Sequence, residues 1–166
     1  DLYSRAMCSR CSTWRRIRFP FVLWLMVAYL AFSKSYMVAF NLTESLPGTF
    51  FLIEKGVFPT ADKFVAFRWE ENWPYPRGSI FVKQLVGLPG SLVTTQGREF
   101  FVDGRAVGLA KERARTGERL NPGPVGIIPR DRYFVSGQHP DSLDSRYQLT
   151  GWVRRDQVLG QAYRLY

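Results

Sequence analysis

Residues 79–90 read SIFVKQLVGLPG. An Ile/Phe/Val-rich run closing on Gly-Leu-Pro-Gly predicts a β-strand ended by a turn. Alternation puts Phe81, Lys83 and Leu85 on one face, and the other face, with Ile80 and Val82, is not polar either. A lysine therefore stands inside a segment that otherwise reads as core. An edge strand would use such a lysine to discourage aggregation. A buried one would be desolvated, its pKa lowered until a neutral amine can take a proton from a serine hydroxyl.

Outward from this strand the texture is similar. The segments TFFLIEKG (49–56), FVAFRW (64–69), SLVTT (91–95), EFFV (99–102), YFVSG (133–137) and QAYRLY (161–166) are short, rich in β-branched and aromatic residues, and broken by Gly and Pro. Asp103-Gly104 between EFFV and RAVG signals a tight hairpin with a primed turn. The hairpin and the polar stretch KERARTGERLNPGPVG (111–126) form an excursion around 97–126. No internal repeat and no useful helical periodicity follow Phe40. Residues 41–166 thus predict a mostly β, antiparallel domain with a single core.

The start of the chain differs. Five arginines (Arg5, Arg10, Arg15, Arg16, Arg18) face one acid, Asp1, in the first 18 residues, an uneven share of a net charge of +9. No basic helix or aromatic RNA-binding pattern accompanies them, so no nucleic-acid partner is expected. Phe19–Phe40 follows with Lys34 as its only charge, and as a helix it would span roughly 33 Å. No small-residue cleavage site follows, so an uncleaved transmembrane anchor is expected rather than a signal peptide. The arginines place residues 1–18 in the cytoplasm and the β domain across the membrane. Cys8 and Cys11 are too few for a four-ligand zinc site and are read as reduced thiols, with palmitoylation as an alternative.

Three boxes carry a resemblance. Thr43-Glu44-Ser45-Leu46-Pro47-Gly48-Thr49 follows the apolar segment; Lys83-Gln84-Leu85-Val86-Gly87-Leu88-Pro89-Gly90-Ser91 includes the opening stretch; and Gly137-Gln138-His139 leads to Ser142-Leu143-Asp144-Ser145-Arg146-Tyr147. In order and spacing they resemble the type I signal peptidases, membrane-anchored Ser-Lys proteases, and look closest to the conjugative-transfer (TraF-type) branch that matures pilin precursors. Leu46, Ser91 and Gln138-His139 depart from the family pattern of Met, Asp and Asp-Asn.

The resemblance implies a signal-peptidase-like β domain behind one N-terminal transmembrane helix, in a bacterial inner membrane with its catalytic part periplasmic. It implies Ser45 as nucleophile and Lys83 as general base. Thr43, with the Ser45 backbone N–H, would form the oxyanion hole. Ser142 would orient the lysine, and Asp144 and Arg146 would form a supporting ion pair. The substrate, a signal-peptide or propilin precursor, would add as a strand beside the segment before Lys83, with Ile80 and Val82 forming shallow apolar pockets. Membrane lipid is the other partner; no metal or cofactor is implied. Two alternatives stay open: a Ser-His-Asp hydrolase using His139 with Asp141 or Asp144, and a non-catalytic anchored scaffold.

Overall fold

The computed structural model describes residues 9–40 and 50–165, with the backbone alone for 9–19. The chain divides into two compact units, Asp1–Tyr36 and Met37–Tyr166.

The first unit contains helix α1, Ser9–Ser35. It begins well before the expected Phe19, so the arginines from Arg10 to Arg18 are helical, as suits good helix formers. Its apolar side chains are exposed all round: Phe21, Leu23, Trp24, Met26, Tyr29, Leu30 and Phe32 are 48–69% exposed. The apolar part between Arg18 and Lys34 would rise only about 22 Å, less than a hydrocarbon core of about 30 Å. Among the described residues no helix is long and apolar enough to cross a membrane.

Tyr36–Phe40, expected to complete the apolar span, is instead strand β1. The reason is a period of two. Met37 and Ala39 pack against Phe51, Ile53, Ala66 and Ala162, while Val38 and Phe40 face outward.

The remaining strands are β2 (Phe50–Lys55), β3 (Phe64–Arg68), β4 (Ile80–Gly87), β5 (Leu92–Gln96), β6 (Glu99–Val102), β7 (Arg105–Leu109), β8 (Gly126–Ile127), β9 (Arg132–Ser136), β10 (Val153–Arg154) and β11 (Val158–Arg164). Among the described residues they form a larger sheet, ordered β1-β2-β11-β3-β4-β9-β10, and a smaller one, β7-β6-β5-β8. The predicted hairpin is β6–β7, with positive φ at both Asp103 and Gly104, as a type I′ turn requires. Strands β1, β8 and β10 were not legible in the sequence; β8 and β10 are two residues each.

Strand β4 lies inside the larger sheet, between β3 and β9. The β9 pairing begins only at Gln84, so it is the burial of Lys83, 4% exposed, that removes its reading as a solvent-facing edge lysine. Both faces of β4 are covered: Leu85 packs with Val65, Phe67 and Val135 on one side, and Val82 with Phe51 and Ile53 on the other. A strand buried twice reads as a continuous apolar run, which is why the opening stretch lacks a polar face. Its glycine has a packing role. A Cβ at Gly87 would fall 2.6 Å from Ile128 Cδ1 and 2.9 Å from Phe134 Cβ, where the β4–β9 register shifts beside the second core of Val93, Phe100, Val102, Ile128 and Phe134.

Candidate active site

Lys83 sits across from Val65 in the β3–β4 ladder and is 4% exposed. Its Nζ donates to Ser142 Oγ at 2.7 Å and lies 5.9 Å from the centre of the Phe81 ring. Burial pushes the ammonium pKa down, to about 8; the Asp144 charge opposes this and the Arg146 charge assists it. Desolvation wins because the two charges largely cancel each other.

The loop carrying Ser142 is held by a buried ion pair. Asp144 is fully buried and Arg146 is 3% exposed. Asp144 Oδ1 accepts from Arg146 Nε at 2.8 Å, and Oδ2 from Nη2 at 2.9 Å, a bidentate pair. The Gly137 and Arg146 backbone N–H groups donate to the same carboxylate, at 2.8 and 3.2 Å. Arg146 Nη1 donates to Leu109 O at 3.1 Å, tying the loop to β7. Burial disfavours the guanidinium charge, yet the Asp144 hydrogen bonds hold its pKa above the usual value. Two buried charges are tolerable only with such partners.

Sequence reading did not single out Ser145. Its N–H donates to Val135 O and its Oγ accepts from Val135 N–H, both at 3.0 Å, so the loop returns alongside β9. The only signal was its place between Asp144 and Arg146. Gly123 was missed as well. Its N–H donates to Arg146 O at 2.7 Å, and a Cβ there would stand 2.2 Å from Ser145 O. Gly123→Ala is therefore expected to cost about 1–3 kcal/mol through overpacking, read as a lower urea midpoint with unchanged slope.

On its β9 side β4 is paired only over Gln84–Gly87, whereas β3 covers Ile80–Gln84. Trp69 N–H donates to Ser79 O and Leu85 N–H to Lys63 O, so odd-numbered residues of β4 face β3. The backbone groups of Ile80 and Val82 then point to the side where no described strand pairs with them. Ile80 is 39% exposed, while Val82 is half-buried against the Phe51–Ile53 cluster.

The structure thus brings Lys83, Ser142, Asp144 and Arg146 together. Thr43, Ser45 and Cys8 lie outside the described residues, and Cys11 is described by its backbone alone. A cleft of about 500 Å³ is bordered by Gln84, Val86, Gly108, Ser136 and Arg146; it lies on the Gln84 face of β4, opposite to Lys83. His139 is on the same loop as Ser142, with its Nδ1 4.0 Å from Asp141 Oδ2. Its Nδ1 accepts from Asp141 N–H at 3.1 Å, Asp141 is paired with Lys111, and Asp144 is committed to Arg146. Among the described residues no group of three or more His, Cys, Asp or Glu could hold a metal ion.

A buried amine with a pKa near 8, fixed by a hydroxyl and with no carboxylate contact among the described residues, is equipped to accept a proton from a hydroxyl brought to it.

The family model described as "Signal peptidase, peptidase S26" matches residues 11–166. A protein of Bacillus subtilis subsp. natto named signal peptidase I P is 34% identical over 91 residues, covering 48% of this chain and 47% of its own length. A probable signal peptidase I-2 of Synechocystis is 33% identical over 84 residues, covering 50% of this chain and 36% of its own. The chain thus spans about half, or less, of the length of these relatives. The solved signal peptidase I of Enterococcus faecalis V583 aligns with a TM-score of 0.41 at 24% identity, over 62% of this chain and 95% of that one.

Proposed function

The chain belongs to the signal peptidase family, peptidase S26, and on that premise we propose that it is a membrane-anchored serine endopeptidase in which Ser45 attacks and Lys83 is the general base. The observation that carries the reading is Lys83 itself, buried in strand β4, held by Ser142 and brought to a pKa of about 8.

In this mechanism the neutral Lys83 amine takes the Ser45 hydroxyl proton as the oxygen adds to the scissile carbonyl. The resulting lysine ammonium returns the proton to the leaving amine, and the acyl-enzyme is then opened by water activated by the same amine. Thr43 and the Ser45 N–H would stabilise the oxyanion; losing one such donor costs about 100- to 1,000-fold. Ser142 orients the amine, and the Asp144–Arg146 pair keeps Ser142 in place. The precursor adds as a strand along Ile80–Val82, whose outward backbone groups supply the ladder; Ile80 contacts small side chains near the cut.

Helix α1 supports anchoring. From Phe21 to Phe32 the helix is apolar on all sides and has no face to present to water, and Arg10–Arg18 favour a cytoplasmic N-terminus. The span is short, so Lys34 would snorkel and the bilayer would thin locally. External protease added to spheroplasts should degrade the residues after Phe40; their resistance would overturn this topology. Within the family we assign the chain to the conjugative, propilin-processing branch, because Asn41, Thr43 and Ser45, at alternate positions, resemble that branch's nucleophile box. Mass spectrometry of the mature substrate tests this and tells hydrolysis from ring closure, which lowers the mass by one water.

The reading is tested by pH. Only the neutral amine works, so kcat/KM on a peptide with small residues at the cut should rise tenfold per pH unit below about 8 and level off above it. A single ionisation near 10, or no ionisation above pH 6, would refute it.

A further inference from the structure

A second cavity, of about 320 Å³, lies between the loop around Trp73 and the excursion 111–120. Trp73 is 45% exposed and forms one wall with Tyr75, while Leu143 lines another. Arg113 and Arg115 stand in the lining as exposed cations, and neither is in an ion pair among the described residues. The one carboxylate in the lining, Asp141, is paired with Lys111, and the Arg115 charge also acts on it. The acids of the excursion, Glu112 and Glu118, are not part of the lining, although the Glu118 carboxylate accepts from Thr116, which is.

The cationic side is held in place. Arg98 Nε donates to Ala110 O at 2.7 Å, and its Nη2 to Lys111 O and Leu120 O at 2.6 and 2.9 Å, so one side chain clamps both ends of the excursion. Arg113 Nη1 donates to Gly117 O at 3.0 Å, closing the tip. A rim fixed in advance binds with less entropy lost. The back wall is the loop that holds the lysine: Asp141 and Leu143 line the cavity, and Ser142 between them contacts Lys83.

We propose that this cavity is a docking subsite for a segment of the cleaved polypeptide that carries an apolar side chain beside one or two carboxylates. The apolar side chain lies against Trp73, Tyr75 and Leu143, and the carboxylates meet Arg113 and Arg115, a charge match the lining itself supplies. The proposal rests on the peptidase reading, because the loop that lines the cavity through Asp141 and Leu143 also holds Lys83 through Ser142. Each residue between the cut and the docked segment spans roughly 3.3 Å.

The test uses the full chain in neutral detergent. A fluorescein-labelled hexapeptide, Gly-Glu-Phe-Asp-Leu-Gly, is titrated by fluorescence polarisation against the wild type, Arg113→Glu/Arg115→Glu and Trp73→Ala. Binding should weaken about tenfold or more in each variant and, for the wild type, in high salt; the peptide with its acids as amides should bind no better than the charge-reversed protein allows. In parallel, a short cleavable peptide is compared with the same peptide extended by the hexapeptide through spacers of two to eight residues. The extension should lower KM in the wild type with little change in kcat, and the double variant should abolish the difference while cleaving the short peptide normally. If the short peptide is cut but the extension neither binds nor changes KM, the subsite is refuted and the peptidase reading stands. If neither peptide is cut while the hexapeptide binds and charge reversal removes it, the peptidase reading fails and the site for an acidic apolar peptide stands. Charge-reversal-sensitive binding to phosphatidylglycerol vesicles with no hexapeptide binding would refute the subsite in favour of a lipid surface.

Discussion

Ser45→Ala and Lys83→Met are each expected to lower precursor cleavage by roughly four orders of magnitude or more, because nucleophile and base act as one unit. The lysine variant is the more informative. Methionine keeps the apolar stem in the β4 environment and removes the amine that Ser142 Oγ accepts from. The fold should survive. In the folded state the Lys83 pKa is about 8 against 10.5 for the free side chain, so between these values the unfolded chain binds more protons and stability rises with pH. The penalty of burying the ammonium is fully present below about 8 and fades toward 10.5. Lys83→Met should therefore raise Tm at neutral pH, with a gain that shrinks as pH approaches 10. His139→Ala should retain most activity, since its ring contacts the Asp141 backbone rather than the lysine. A His139→Ala protein as inactive as Ser45→Ala, together with an active Lys83→Met, would replace the dyad by a triad.

Breaking the Asp144–Arg146 pair is expected to have the largest effect on stability, about 3–5 kcal/mol for Arg146→Ala, because it leaves a carboxylate uncompensated in the interior. The same change should displace the activity profile. Asp144 raises the Lys83 pKa and Arg146 lowers it. Arg146→Ala frees the carboxylate's field, so the midpoint of kcat/KM should move above 8. Asp144→Asn keeps the shape but removes the negative charge, so its midpoint should move below 8. Opposite displacements cannot arise from loosened packing alone. If Arg146→Ala does not accumulate as folded protein, Asp144→Asn carries the test through the direction of its shift. Displacement of both midpoints in the same direction would mean that the pair acts on Lys83 only through loop position.

Much of the domain was legible locally. Short runs of β-branched and aromatic residues broken by Gly and Pro marked β2 to β6, β9 and much of β11, and Asp103-Gly104 marked the β6–β7 turn, because strand-forming residue types and positive φ are written residue by residue. The Lys83 and Ser142–Arg146 boxes were likewise visible as residue types in order. Strands β8 and β10 were not, since two residues carry no period and exist only through their partners Leu92–Val93 and Arg132–Tyr133.

Strand β1 shows how far local pattern reaches. Tyr36–Phe40 is as apolar as the helix before it, and only the Phe51–Ala162 cluster beneath Met37 and Ala39 turns it into a strand. The lysine is the same case in chemical form. The sequence determined that a cation stands in an apolar run, and left open whether that run lies at an edge or inside. The tertiary structure decided it by covering both faces of β4 and folding the Gly137–Tyr147 loop over the amine. Desolvation is a property of the surroundings, and those surroundings come from residues 59 positions away in the chain, as the Lys83–Ser142 bond shows.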